Sequence, residues 1–212
     1  MHNFTYVTKK EAAPIKATLI EVIKQVQDAV RDDFTFQYRF IGSSSRGMVT
    51  QDSESNIGFD FDVNIEVNDD NENYSPEEIR NIIRNALNKV VRQYGYDFAE
   101  DSTRVLTIKV KDRMHRCIVH SCDFAIVYNC NDGRQQYIRY DKKRGNYTWE
   151  YQKAGFCDLQ KKADWLKANK HWQEVLDRYI EKKNENDVPY KHSRSLYAET
   201  INDIYMKYHC ES

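Results

Sequence analysis

Ile15, Leu19, Ile23, Val26 and Val30 follow one another at intervals of four, four, three and four, so residues 14–31 predict an amphipathic helix. Pro14 suits its first turn, where a missing N–H has no partner to lose. The period then shortens to two. Phe34, Phe36, Tyr38 and Phe40 share one face of a predicted strand that runs to Ile41, and Gly42-Ser43-Ser44-Ser45 breaks it. The cleanest alternation in the chain begins at Phe59. Phe59, Phe61, Val63, Ile65 and Val67 take one face, and Asp60, Asp62, Asn64 and Glu66 the other.

Ser75-Pro76-Glu77-Glu78 carries agreeing helix-start signals: Ser75 as N-cap, Pro76 at the first helical position and Glu78 to complete a capping box. That helix is expected to run to about Tyr94 and stop before Gly95. Strands are predicted at Arg104–Val110, Arg116–Tyr128 and Gln135–Tyr140, with a turn at Asn131-Asp132-Gly133 between the last two. Beyond Gly155 helical spacing returns over 158–168, 171–183 and 191–208, with Asp187-Val188-Pro189 as a break. The order predicts an α+β fold. Its mixed β-sheet core, flanked by helices, occupies residues 1–155, and a C-terminal helical lobe over 156–212 packs on it.

Composition agrees with a packed core, at 40% hydrophobic and 31% charged residues. No run approaches the ~18 apolar residues of a membrane helix, and MHNFTYVTKKEAAP at the N-terminus lacks the apolar segment of a secretory signal. A soluble chain is expected. The five cysteines (Cys117, Cys122, Cys130, Cys157, Cys210) are odd in number and unpaired in spacing, which favours a reducing cytoplasm over a disulfide framework. The formal net charge of -1 hides a segregation. Residues 52–78, including Asp69-Asp70, hold ten acids and no Lys or Arg, whereas residues 134–183 hold thirteen bases and seven acids. The first segment suits metal ions and the second polyphosphate or nucleic acid, although charge alone reads equally as two solvated faces.

Asp60-Phe61-Asp62 puts two carboxylates on one strand face, about 6–7 Å apart at Cα. An isolated pair of this kind is most often only the wet side of an amphipathic strand. Two neighbours change its meaning. Gly42 allows close backbone approach to a ligand, and the hydroxyls and N–H groups of Ser43 and Ser44 can cradle phosphate. Asp123 lies within the apolar strand sequence Cys117–Val127 and needs a partner there, since an unpaired buried carboxylate is costly. An arginine or a shared metal ion would each serve.

Phe40-Ile41-Gly42-Ser43, then Asp60-Phe61-Asp62-Val63, then Asp123 in a later strand resembles the DNA polymerase beta-like nucleotidyltransferase superfamily. The pattern there is a hydrophobic residue, Gly-Ser, a spacer, an acid-hydrophobic-acid strand and a third acid on a following strand. The helix ahead of Gly42 and the helical C-terminal lobe resemble the branch containing oligoadenylate synthetase and cyclic GMP–AMP synthase. The likeness covers residues 14–130 in detail and the rest in outline. Sixteen residues separate Ser43 from Asp60, a longer spacer than is usual there, and the extra length is polar (Gln51-Asp52-Ser53-Glu54-Ser55-Asn56).

The resemblance implies a nucleotidyltransferase-type sheet and two Mg²⁺ or Mn²⁺ ions held by the catalytic acids Asp60, Asp62 and Asp123. It implies transfer of an NMP group from an NTP, with ATP expected, to a hydroxyl of a nucleotide, RNA end, small molecule or protein. Nucleotide contacts would come from Gly42, Ser43 and Ser44, and from a lysine and a stacking tyrosine of the helical lobe, for which Lys162 and Tyr197 are the candidates. The competing class is a catalytically silent nucleotide- or RNA-binding module of the same fold, against which three intact acids weigh.

Other signals carry less. His115, Cys117, His120 and Cys122 have zinc-like spacing, but Cys117 and Cys122 point to opposite faces of a regular strand. Trp149, Trp165 and Trp172 read as core fillers. Lys142-Lys143-Arg144-Gly145 reads as a solvated hairpin tip.

Overall fold

A computed structural model describes residues 2–69, 72–152, 158–188 and 191–209. Asp70, Gly155, Cys157, Pro189 and Cys210 lie outside the described residues, as does the expected domain boundary at 155/156. In chain order the elements are β1 (Phe4–Tyr6), α1 (Lys9–Val30), β2 (Thr35–Ile41), α2 (Gly42–Arg46), β3 (Thr50–Asp52), β4 (Ile57–Asn68), α3 (Pro76–Val90), β5 (Glu100–Asp101), β6 (Val105–Asp112), β7 (Cys117–Asn129), β8 (Gln135–Asp141), β9 (Asn146–Tyr151), α4 (Leu159–Ala168), α5 (Trp172–Asn184) and α6 (Ser193–His209). A 3-10 turn, Val91–Tyr94, prolongs α3.

Two compact units emerge. One comprises Val7–Thr50 and Asn56–Gln152; the other comprises Met1–Tyr6, Gln51–Ser55 and Lys153–Ser212. The helical unit thus takes in two segments that the sequence pattern assigns to the core. Within it α6 packs on α4 and α5 around Leu166, Val175, Leu196 and Ile201, all buried. β1 is fastened to α5 by Asn184, whose Oδ1 accepts the Phe4 N–H at 2.6 Å and whose Nδ2 donates to the Phe4 carbonyl at 3.2 Å.

The first unit is an α+β sheet domain. Its mixed sheet runs β2-β4-β7-β6-β5, with β8 on the far end of β7 and β9 on β8. β4 and β7 are parallel, and the other pairings are antiparallel. The period of two in β4 carries across the pair: Phe61, Val63 and Ile65 register with Cys122, Phe124 and Ile126 of β7. All six are buried in a core that also takes Leu19, Ile23 and Val26 of α1 and Ile79 and Ile83 of α3. The acids of β4 are left on the opposite face.

α3 begins as its sequence predicts, with Ser75 accepting the Glu78 N–H and Glu78 returning to the Ser75 N–H at 2.8 Å. α1 begins earlier than its apolar spacing indicates. Thr8 caps it by accepting the Glu11 N–H, while Glu11 bonds back to the Thr8 N–H at 2.8 Å, so Pro14 stands inside the helix rather than in its first turn. A capping box among polar residues leaves no hydrophobic trace. Lys142-Lys143-Arg144-Gly145 does lie at a hairpin tip, between β8 and the unforeseen β9.

Arg80 of α3 is completely buried. Its Nε donates to Asp101 Oδ1 at 2.8 Å and its Nη2 to Asp101 Oδ1 at 2.6 Å, to the Ser102 carbonyl at 2.7 Å and to the Val105 carbonyl at 3.0 Å. One guanidinium thereby locks α3 to the start of β6. Among the described residues no helix is long and apolar enough to cross a membrane.

Candidate active site

Asp62 of β4 stands directly opposite Asp123 of β7 in the parallel register, on strands spaced about 4.8 Å apart. Asp60 lies two residues earlier on the same face of β4. On the other flank β2 pairs Ile41 with Asp62 and delivers the chain into Gly42. Gly42 has φ +64, and a Cβ built there would lie 2.3 Å from Asp62 Oδ2. Glycine is required twice over, by the left-handed backbone and by the carboxylate that fills its side-chain space. In the turn that follows, Ser44 donates its hydroxyl to the Ile41 carbonyl at 3.0 Å and Ser45 to the Gly42 carbonyl at 2.9 Å.

Burial, and after it the facing Asp123 carboxylate, push Asp62 above its ordinary range, while the Arg46 charge pulls it back. Burial likewise raises Asp123, against the Thr107 hydrogen bond and the Lys109 charge. Thr107, opposite Asp123 on β6, donates its hydroxyl to Asp123 Oδ1 at 2.6 Å. No arginine among the described residues forms an ion pair with Asp123, so of the two partners its position called for, that one is excluded. On the core face beneath, Cys122 is fully buried, and burial together with Asp123, Asp62 and Asp60 pushes its thiol well above the usual range. That thiol stays protonated and inert.

The backbone thus gathers the three acids, but their side chains do not converge. Among the described residues no three His, Cys, Asp or Glu side chains form a ready metal site. Asp62 abuts Gly42, Asp123 is held by Thr107, and Asp60 is exposed. The donor set is nonetheless all hard oxygen, with Asp62 facing the Asp123 charge and Gly42 pressed against Asp62. Such a set fits Mg²⁺ or Mn²⁺ better than a soft metal. The zinc-like spacing has another explanation: His120 Nε2 meets Tyr96 Oη at 3.1 Å, inside the core.

Within the helical unit, Lys162 Nζ donates to Asn202 Oδ1 at 2.7 Å and lies 5.3 Å from the Tyr205 ring centroid. Tyr197 is only 5% exposed and packs edge-on against Tyr179. A stacking role for Tyr197 would require the ring to be uncovered from Tyr179. Thr107 and Arg46 are site residues that the sequence did not single out. Thr107 occupies an ordinary alternating position, and only the β6–β7 register reveals what it faces.

No protein-family model and no curated protein sequence matches the chain. Solved structures do. Against Vibrio cholerae DncV, a cyclic AMP-GMP synthase, in complex with the linear intermediate 5′ pppA(3′,5′)pG, the TM-score is 0.62 at 12% identity, over 92% of this chain and 67% of that one. Against DncV in complex with nonhydrolyzable GTP it is 0.58 at 14% identity, over 88% of this chain and 51% of that one. The chain spans between about half and two thirds of the DncV chains it matches. At such identities the likeness is one of fold alone, and the chain shares that fold with DncV.

Proposed function

We propose that the chain is a divalent-metal-dependent nucleotidyltransferase that moves an NMP group from an NTP, with ATP the expected donor, to an acceptor hydroxyl. One observation carries this reading: Asp62 faces Asp123 across a parallel strand pair, with Gly42 pressed against Asp62. Magnesium or manganese ions on these oxygens would supply charge neutralisation of the triphosphate and acidification of the acceptor hydroxyl. Asp60 and Asp62 lie toward the Gly42 turn and so hold the donor side, while Asp123 serves the acceptor side. Gly42 keeps the turn close to the carboxylates. Ser43 offers its hydroxyl to phosphate, whereas Ser44, whose hydroxyl is committed to Ile41, offers its backbone N–H. Lys162, which forms no ion pair among the described residues, is kept as a nucleotide-contact candidate by its charge alone.

The fold likeness supports the same class, and the linear pppA(3′,5′)pG held by DncV makes a second nucleotide the first acceptor to test. The experiment is incubation with each α-labelled NTP and Mg²⁺ or Mn²⁺, followed by chromatography of the products. A labelled product that depends on the divalent cation is expected, and its size identifies the acceptor class. Nucleotide binding without any labelled product would instead indicate the silent nucleotide- or RNA-binding module.

A further inference from the structure

We infer that Thr107 is a positioning residue for Asp123, fixing one carboxylate oxygen so that the other meets a divalent cation; this role rests on the metal-dependent reading above. Thr107 stands directly opposite Asp123 in the antiparallel β6–β7 pair, where facing Cβ atoms lie about 4.5–5.5 Å apart. Its Oγ1 donates to Asp123 Oδ1 at 2.6 Å, within the short range of charge-assisted O–H···O⁻ bonds. A threonine hydroxyl has one proton to give, and here it is spent on Asp123. Branching at Cβ restricts the Thr107 rotamer, so the bond holds the carboxylate in a fixed orientation.

Thr107 is the hydrogen-bond donor that reaches the Asp123 carboxylate. Asp62, the partner of Asp123 on β4, is a like charge with nothing to donate when ionised. Lys109, two residues along β6, acts on Asp123 through its charge while its ammonium sits 2.5 Å from Glu100 Oε2; a non-directional charge does not fix the carboxylate's orientation. Orientation of the Asp123 carboxylate therefore falls to Thr107, and Oδ2 is the oxygen left for a cation.

Mn²⁺ alone serves as the probe, titrated into the full chain without nucleotide and followed by the electron paramagnetic resonance of the free ion. Thr107→Val preserves shape and removes the donor; Thr107→Ser preserves the donor. The expected result is Mn²⁺ affinity about 10–100-fold weaker in Thr107→Val, the usual loss for a partner of a metal ligand, with Thr107→Ser close to wild type. A residue that merely filled space would leave metal affinity unchanged in the folded Thr107→Val protein, and that result would overturn the role. So would a Thr107→Ser variant as impaired as Thr107→Val. Should Thr107→Val fail to fold, Thr107→Ala against Thr107→Ser makes the same comparison. Absence of Mn²⁺ binding by the wild type would overturn the metal reading itself and this role with it. Binding by the wild type with an unchanged valine variant overturns the Thr107 role alone.

Discussion

Gly42 and Asp62 occupy what would otherwise be the same space, and each makes the other's substitution informative. Gly42→Ala forces a left-handed backbone on a residue with a Cβ, at about 1–2 kcal/mol, and drives that Cβ toward Asp62 Oδ2. Its nucleotide affinity is predicted to fall at least about tenfold, the equivalent of about 1.4 kcal/mol, while the protein stays folded. Titration with a fluorescent NTP checks this, and unchanged affinity would count against the turn as part of the site. Asp62 predicts a pH dependence. Its folded-state pKa lies above the usual 3.8, so its contribution to stability is fully present below that value and is lost as pH rises through the raised one. In chelator at pH 7, Asp62→Asn is therefore expected to melt higher than wild type, by up to about 4 °C, the shift that about 1 kcal/mol produces in a chain of this size. The difference should vanish below the ordinary carboxylate range. A lower melting temperature at pH 7 would mean that Asp62 is a structural ion-pair partner.

At the scale of elements, α3 presents one end that its sequence specifies and one anchor that it does not. Ser75→Ala removes half of a capping box and should cost about 1 kcal/mol in denaturant titrations. Arg80→Met removes the guanidinium from Asp101 and from the Ser102 and Val105 carbonyls, leaving Asp101 with Tyr147 and Arg84. It should cost about 3 kcal/mol, the lower end for removal of one member of a buried ion pair. A loss as small as that of Ser75→Ala would show that the anchor is dispensable. The contrast explains what was legible. The α3 cap, the β4 alternation and the Gly42 break are local, and the sequence displays them directly. The α1 cap at Thr8 lies among polar residues ahead of the apolar spacing. Arg80 depends on partners more than twenty residues away, which no local pattern encodes.

Across the whole molecule, the strand positions of Asp60, Asp62 and Asp123 and the α+β architecture are legible in the sequence, because a period of two fixes which face a residue takes. The parallel register that sets Asp62 against Asp123 is not, nor is the Thr107 hydroxyl that answers Asp123, since both follow from long-range strand pairing. Nothing in the spacing of the helical lobe singles out a lysine or a tyrosine for the nucleotide, because a periodic pattern does not distinguish a ring that lines a cleft from one that fills a helix contact. The central claim is that Asp60, Asp62 and Asp123 act together as the metal-binding unit of a nucleotidyltransferase. It is tested most directly by cation-dependent turnover of labelled NTP in the wild type, the three single Asp→Asn variants and the Asp60→Asn/Asp62→Asn double variant, each confirmed folded by its melting curve. Groups that act as a unit are non-additive, so each single change should lower turnover by about 10³-fold or more and the double change should be little worse than either single one. Wild-type turnover in any one of the folded variants would contradict the account.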